Sequence, residues 1–290
     1  MSSSPWIYLI LLLFILSACG MAPATRPTPS STPTPVKPPS PTITPPGGWK
    51  LVWSDEFDKP DGSAPDENKW SYAVGAGGWG NGEYEYYTDH RLENAHIDHG
   101  MLVIEARKED YLGHDYTSAR LNTSQKGDWT YGRVEVRAKL PKGQGLWPAI
   151  WMMPTDSIYG GWPRSGEIDI MELLGNEPSR VYGTLHYGDP HDSQGSQFDL
   201  TDGSAFSDSF HTFAIEWEPG IIRWYVDGSQ YFTVTQWFIS DESRPFPAPF
   251  DQRFYLILNV AVGGTWPGYP DETTQFPQKM YIDYVHVYQK

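Results

Sequence analysis

A chain of 290 residues with a formal net charge of -15 has room for one large β domain or two smaller domains. Its acidity excludes nucleic acid, whose binding needs a basic footprint, and weighs against sulfated polysaccharides, which an acidic cleft would repel. Aromatic residues reach 15%, with 13 Trp and 18 Tyr, more than a core alone requires, so stacking surfaces for flat ligands such as sugar rings or bases are expected.

Trp6 to Leu16 is an apolar run of 11 residues, too short to span a bilayer and of the length of a signal-peptide core. No Lys or Arg precedes it, a departure from the usual pattern. Leu16-Ser17-Ala18-Cys19 follows and resembles a bacterial lipobox. That resemblance implies a lipoprotein signal peptide over residues 1–18, lipidation of Cys19, and a secreted protein held at the cell surface by an anchor that does not span the membrane. The alternative is an ordinary signal peptide with an incidental cysteine. Cys19 is the chain's single cysteine, so no intrachain disulfide can form and the domain depends on its core, helped at most by a metal. Residues 19–48 carry Pro-Thr-Pro-Ser-Ser-Thr-Pro-Thr-Pro and almost nothing apolar, which reads as an extended linker reaching on the order of 80 Å.

From Trp49 onwards the periodicity is that of strands. Leu102, Ile104 and Ala106 alternate with Val103, Glu105 and Arg107, and Val134, Val136 and Ala138 alternate with Arg133, Glu135 and Arg137. Phe213, Ile215 and Trp217 repeat the pattern, Asp227-Gly228 marks a two-residue hairpin, and alternating runs around Phe254–Val260 and Tyr281–Tyr288 complete it. No long stretch shows helical periodicity. The expected fold is therefore all-β, a single two-sheet β-sandwich of jelly-roll type over residues 49–290.

The chemistry concentrates in Gly166-Glu167-Ile168-Asp169-Ile170-Met171-Glu172. On a strand Glu167 and Asp169 share one face while the isoleucines take the other, and strict alternation would turn Glu172 towards the apolar side. A β-bulge at Ile170-Met171 would return Glu172 to its two partners. Such a row suits glycoside hydrolysis, because a retaining glycosidase sets a carboxylate nucleophile and a protonated carboxylic acid roughly 5–5.5 Å apart. Glu167 and Glu172 would lie roughly 13 Å apart along the backbone, a gap that two long side chains leaning together can largely close. A solvated strand face and a calcium site are the plainer readings of the same spacing.

Several neighbours offer sugar contacts. Trp147 and Trp151, four positions apart, face the same side of a strand and could stack two sugars of one chain, or could be core residues. Asn81 in a Gly-rich loop could bond hydroxyls or simply make a turn, and Trp266 on a tight loop is a ligand platform or a packed tip. His186, on the expected next strand, could donate to a sugar or to Glu172. The histidines are too scattered for a zinc site, and no Gly-x-Ser-x-Gly elbow supports a serine triad.

Glu167-Ile168-Asp169-Ile170-Met171-Glu172 resembles the Glu-x-Asp-x-x-Glu motif of glycoside hydrolase family 16. Trp53-Ser54-Asp55-Glu56-Phe57, Asn81-Gly82-Glu83, Gly145 to Met152, Gly161 to Gly166 and Gly263 to Gly268 look like its laminarinase branch, so the similarity runs from Trp49 to Lys290. The resemblance implies a concanavalin A-like jelly roll with a concave cleft and a retaining endo-β-1,3-glucanase activity on laminarin-type glucans. Glu167 would be the nucleophile, Glu172 the acid and base, and Asp169 their assistant. Asn81, Arg120, Trp147, Trp151, Trp162, His186 and Trp266 match sugar-contacting positions. No cofactor is implied for catalysis. One structural calcium would be held by the main chain of Glu56 and Gly100 and by Asp283. The protein is expected to act as a monomer on β-glucan and to meet a membrane only through its anchor. Mixed-linkage glucanase, galactan hydrolase and non-catalytic glucan-binding module are the competing readings.

Overall fold

The computed structural model describes residues 47–239, 241 and 243–290. Cys19, the signal segment and nearly all of the expected linker lie outside the described residues. The strands are β1 (Lys50–Asp55), β2 (Ser71–Tyr72), β3 (Glu85–Tyr87), β4 (Ala95–Asp98), β5 (Met101–Tyr111), β6 (His114–Ser118), β7 (Arg120–Asn122), β8 (Asp128–Trp129) and β9 (Gly132–Lys139). They continue as β10 (Leu146–Pro154), β11 (Glu167–Glu172), β12 (Arg180–Tyr187), β13 (Asp192–Asp199), β14 (His211–Glu218), β15 (Ile221–Val226), β16 (Ser229–Val234), β17 (Phe254–Val262) and β18 (Gln278–Gln289). Among the described residues there is no helix.

Two sheets form. The back sheet runs β16-β15-β14-β9-β18-β5-β6-β3, with β1 added on β18 and β4 on β5. The second sheet runs β13-β12-β11-β10-β17-β7-β2, with β8 added on β17. All pairings are antiparallel except β3 with β6. The expected hairpin is present: Val226 pairs with Ser229, and Asp227 and Gly228 take φ of 48° and 77°, the two positive values that a type I′ turn requires.

Period-two patterning assigns the faces. On β10 Leu146, Ile150 and Met152 are buried in the core, as are Leu256, Leu258, Val260 and Val262 on β17 and Val181 and Leu185 on β12. The back sheet answers with Val134, Val136, Phe213, Ile215, Ile222, Trp224, Val285 and Val287. The intervening residues of β10, β11, β12 and β17 are thereby turned to the opposite side of the second sheet, where a cleft of about 600 Å³ lies along them. One packed core fixes that sheet, and the cleft inherits its rigidity.

Candidate active site

β11 departs from strict alternation at one place. It pairs Ile168 with Met152 and Asp169 with Trp151, then Met171 with Ile150 and Glu172 with Ala149, so Ile170 is the extra residue. The same slip appears against β12, where Asp169 faces Thr184 and Glu172 faces Tyr182. Ile168, Ile170 and Met171 all enter the core, while Glu167, Asp169 and Glu172 all line the cleft. The energetics favour this irregularity. Burying each large apolar side chain is worth about 1.5–3 kcal/mol, whereas an unbulged strand would expose Met171 and push Glu172 inward, at several kcal/mol for an ionised group.

The bulge is supported from across the sandwich. Trp224 of β15 donates its indole N–H to the carbonyl oxygen of Asp169 at 2.8 Å, so the carbonyl at the slip is satisfied. That approach needs Gly183, because a Cβ there would lie 2.6 Å from Trp224 Cδ1 and 2.4 Å from the Tyr231 hydroxyl. Gly166, with φ of 84°, turns the chain into Glu167 where a Cβ would meet the Phe250 ring at 2.6 Å.

Around the acids, Trp147 Nε1 donates to Glu172 Oε1 at 3.0 Å. His186 Nε2 lies 3.2 Å from Asp169 Oδ2. One oxygen each of Glu167 and Asp169 and one ring nitrogen of His186 lie within 4.8 Å of one another. His186 thus serves Asp169 rather than Glu172, because the register sets it opposite Glu167, at the other end of the acidic row.

The cleft floor is a continuous polar network. Trp151 donates to Asn259 Oδ1 at 2.7 Å, Asn259 Nδ2 to the Tyr87 hydroxyl at 3.0 Å, and Tyr87 to Glu83 Oε2 at 3.1 Å. Asn81 donates to Glu83 Oε1 at 2.9 Å, and its carbonyl accepts from Thr265 N at 2.8 Å, which ties the two Gly-rich loops together. Arg120 is sandwiched between Trp79 and Trp151, its guanidinium carbon 4.6 Å from each ring centroid, a cation–π arrangement. The picture of Trp147 and Trp151 as two open stacking plates therefore changes. Trp147 is committed through its N–H to Glu172 and meets Trp266 edge-on at 5.5 Å, while Arg120 lies over Trp151. The open indoles are Trp162, 53% exposed, and Trp266, 43% exposed.

The family model of glycosyl hydrolases family 16 matches residues 82–286, a span that contains the whole acidic strand and, of the floor network, Glu83, Tyr87, Arg120, Trp151 and Asn259. The chain belongs to glycosyl hydrolase family 16. It is 49% identical to a beta-glucanase of Rhodothermus marinus over 83% of this chain and 85% of that protein. It is 44% identical to a glucan endo-1,3-beta-glucosidase of Cryptopygus antarcticus, over 77% of this chain and 83% of the other. Its fold matches the laminarinase catalytic domain of Thermotoga maritima MSB8 with a TM-score of 0.74 at 49% identity, covering 83% of this chain and 98% of that one. The sandwich is thus the family's jelly roll.

In this family 16 hydrolase the acids are electrostatically unequal. Burial pushes Glu172 well above the usual carboxylate range, the charges of Asp169 and Glu167 add to the rise, and the electrostatic pull of His186 and the Trp147 hydrogen bond oppose it. Burial, then the charge of Asp169, lifts Glu167 to about 8, against the pull of His186 and Trp162. Asp169 is raised by burial to about 7 while it accepts a hydrogen bond from Glu167. Three carboxyls this close titrate as one system that keeps a proton at neutral pH. A cleft holding both a proton donor and a carboxylate can run acid-assisted displacement at a sugar carbon.

Sequence reasoning passed over Trp79, Glu83, Tyr182, His191 and Asn259, all of which line the cleft or hold its floor except Tyr182, which packs edge-on against Trp266 at 5.1 Å. Asn259 carried a usable signal, a lone amide inside an apolar strand. The Glu56, Gly100 and Asp283 set belongs to the back sheet. Asp55 pairs with Val285 and Leu102 with Ile282, so all three residues fall beside one stretch of β18, where the register slips at Asp283.

Proposed function

We propose that this hydrolase cleaves internal β-1,3-glucosidic bonds of laminarin-type glucans with retention of configuration. The observation that carries the reading is the convergence of three acids, through one β-bulge, on a cleft rimmed by exposed indoles. Glu167 attacks the anomeric carbon while Glu172 gives its proton to the departing glycosidic oxygen, leaving the sugar as an ester on Glu167. Glu172, now a carboxylate, takes a proton from water, which attacks the same carbon and frees Glu167 with the β configuration restored. Asp169, with His186 beside it, keeps negative charge between them and so discourages Glu172 from ionising early. Trp162 and Trp266 offer faces for glucose rings. The relatives named as beta-glucanase, glucan endo-1,3-beta-glucosidase and laminarinase support the substrate class. Reducing-end release from laminarin, lichenan and agarose, followed by proton NMR, tests it. Laminarin should be cut fastest, with the β-anomer appearing first; cleavage confined to agarose, or an α-anomer first, contradicts the reading.

We also propose a structural Ca²⁺ on the back sheet, held by the main-chain oxygens of Glu56 and Gly100 and the Asp283 carboxylate. The donors are all oxygens, which suits a hard cation. Asp283 is fully buried, with Arg137 at its Oδ2 as counter-charge. When bound, the ion would offset buried negative charge and link three segments of the sheet. Dialysis against EDTA should lower Tm by at least about 5 °C, as expected for a ligand well above its Kd, and added Ca²⁺ should restore it. In Asp283→Asn that difference should vanish; an EDTA-insensitive wild type would remove the ion from the account.

A further inference from the structure

His191 stands in the turn between β12 and β13 and belongs to none of the motifs that the sequence singles out. Its Nε2 lies 3.0 Å from His186 Nδ1. The two ring planes are 22° apart with centroids 5.2 Å apart, so the rings meet edge to edge through that N···N contact. The other nitrogen of His186 lies 3.2 Å from Asp169 Oδ2, an ion-pair distance whose angle is not that of a hydrogen bond. A chain of imidazoles therefore runs from the cleft rim to the acids. It is held in place: Arg164 Nε reaches Asp189 Oδ2 at 2.7 Å, and the Trp162 ring lies 5.0 Å from that of His191.

The chain has a direction. An ionised Asp169 repels a lone pair, so the carboxylate 3.2 Å away favours hydrogen on His186 Nε2. A neutral imidazole has one N–H, and with it on Nε2 the Nδ1 of His186 is an acceptor. His191 donating Nε2–H to that atom stabilises this tautomer; with the hydrogen on Nδ1 instead, the Nε2 lone pair of His186 would face the Asp169 carboxylate. Should His186 become a cation, its Nδ1–H donates to His191 instead, and Nε2–H stays on the side of Asp169. The titratable groups facing the pair are Glu167, Asp169 and Glu172 from β11 and Asp192 beside His191.

We propose that His191 is a positioning residue that fixes which ring nitrogen of His186 faces Asp169, and so keeps Asp169 charged beside Glu167. The inference rests on the roles of Glu167 and Glu172 proposed above. In ¹⁵N-histidine-labelled protein, with His186 identified by its loss in His186→Asn, the wild type should show the Nε2–H form of His186. His191→Phe should give a mixture of tautomers, lower kcat/KM by up to about tenfold through kcat, the upper end of what one neutral hydrogen bond is worth, and move the acid limb of the pH profile upward. His191→Gln, whose amide N–H can still donate to Nδ1, should restore both the tautomer and most of the rate. His191 is exposed, so neither change empties the core. Unchanged His186 nitrogen shifts in His191→Phe overturn the proposal, whether or not activity falls. Because those shifts are read without turnover, their outcome is independent of the glutamate assignments, which the azide products described below judge.

Discussion

Glu167→Gln should leave a folded protein whose turnover of laminarin falls by on the order of 10³ or more, since the covalent route is closed. The carboxamide has nearly the shape of the acid and can keep contact with Asp169 and Trp162, so the cleft survives. It cannot form the glycosyl ester. The more telling variant is Glu167→Gly with azide, assayed on an aryl β-glucan oligosaccharide with an activated leaving group. Azide would enter the space vacated beneath the sugar and give an α-glycosyl azide, one inversion instead of two. A β-azide from this variant would exchange the roles of the two glutamates. Wild-type turnover by Glu167→Gln would end the double-displacement scheme altogether.

How far the sequence revealed this site follows from what each element must bury. Strands with one face on the core, such as β9, β14 and β17, declare themselves through alternation, because each inward side chain is paid in apolar burial. The bulge in β11 was legible for the same reason reversed: three acids cannot share a face without it. β13 escaped notice because Asp192–Asp199 is an edge strand, polar and part-exposed on both faces, so no alternation marks it. The two indoles of β10 line the cleft on the expected face, and the structure adds the partners that they already hold. Spacing fixes the direction of a side chain but not which of its surfaces is already taken, and Arg120 and Glu172 take those of Trp151 and Trp147. His191 was invisible for a related reason: a turn residue has no periodicity, and its partner is identified only when β12 is paired with β11.

Glu172→Gln should separate catalysis from stability in one protein. Loss of the proton donor is expected to lower laminarin turnover by about 10²–10⁴-fold, while a substrate whose leaving group departs unaided should lose far less in the first step. The fold should gain. Glu172 is held well above its ordinary range by burial and by its acidic neighbours, so between about pH 4.5 and its folded value the unfolded chain releases a proton that the native state retains. Stability therefore falls as pH rises through that window, and the glutamine, which never ionises, escapes the loss. Its Oε1 can still accept from Trp147, so no buried donor is orphaned, and removal of one charge also relaxes Glu167 and Asp169. At pH 8 the variant should melt at least about 2–4 °C above wild type, the equivalent of about 1 kcal/mol or more in a domain of this size. At pH 4, where both forms of the wild type are protonated, the two melting curves should converge. A variant that melts below wild type at pH 8, or by the same margin at both pH values, would mean that Glu172 carries no strained proton and is not the acid of this cleft.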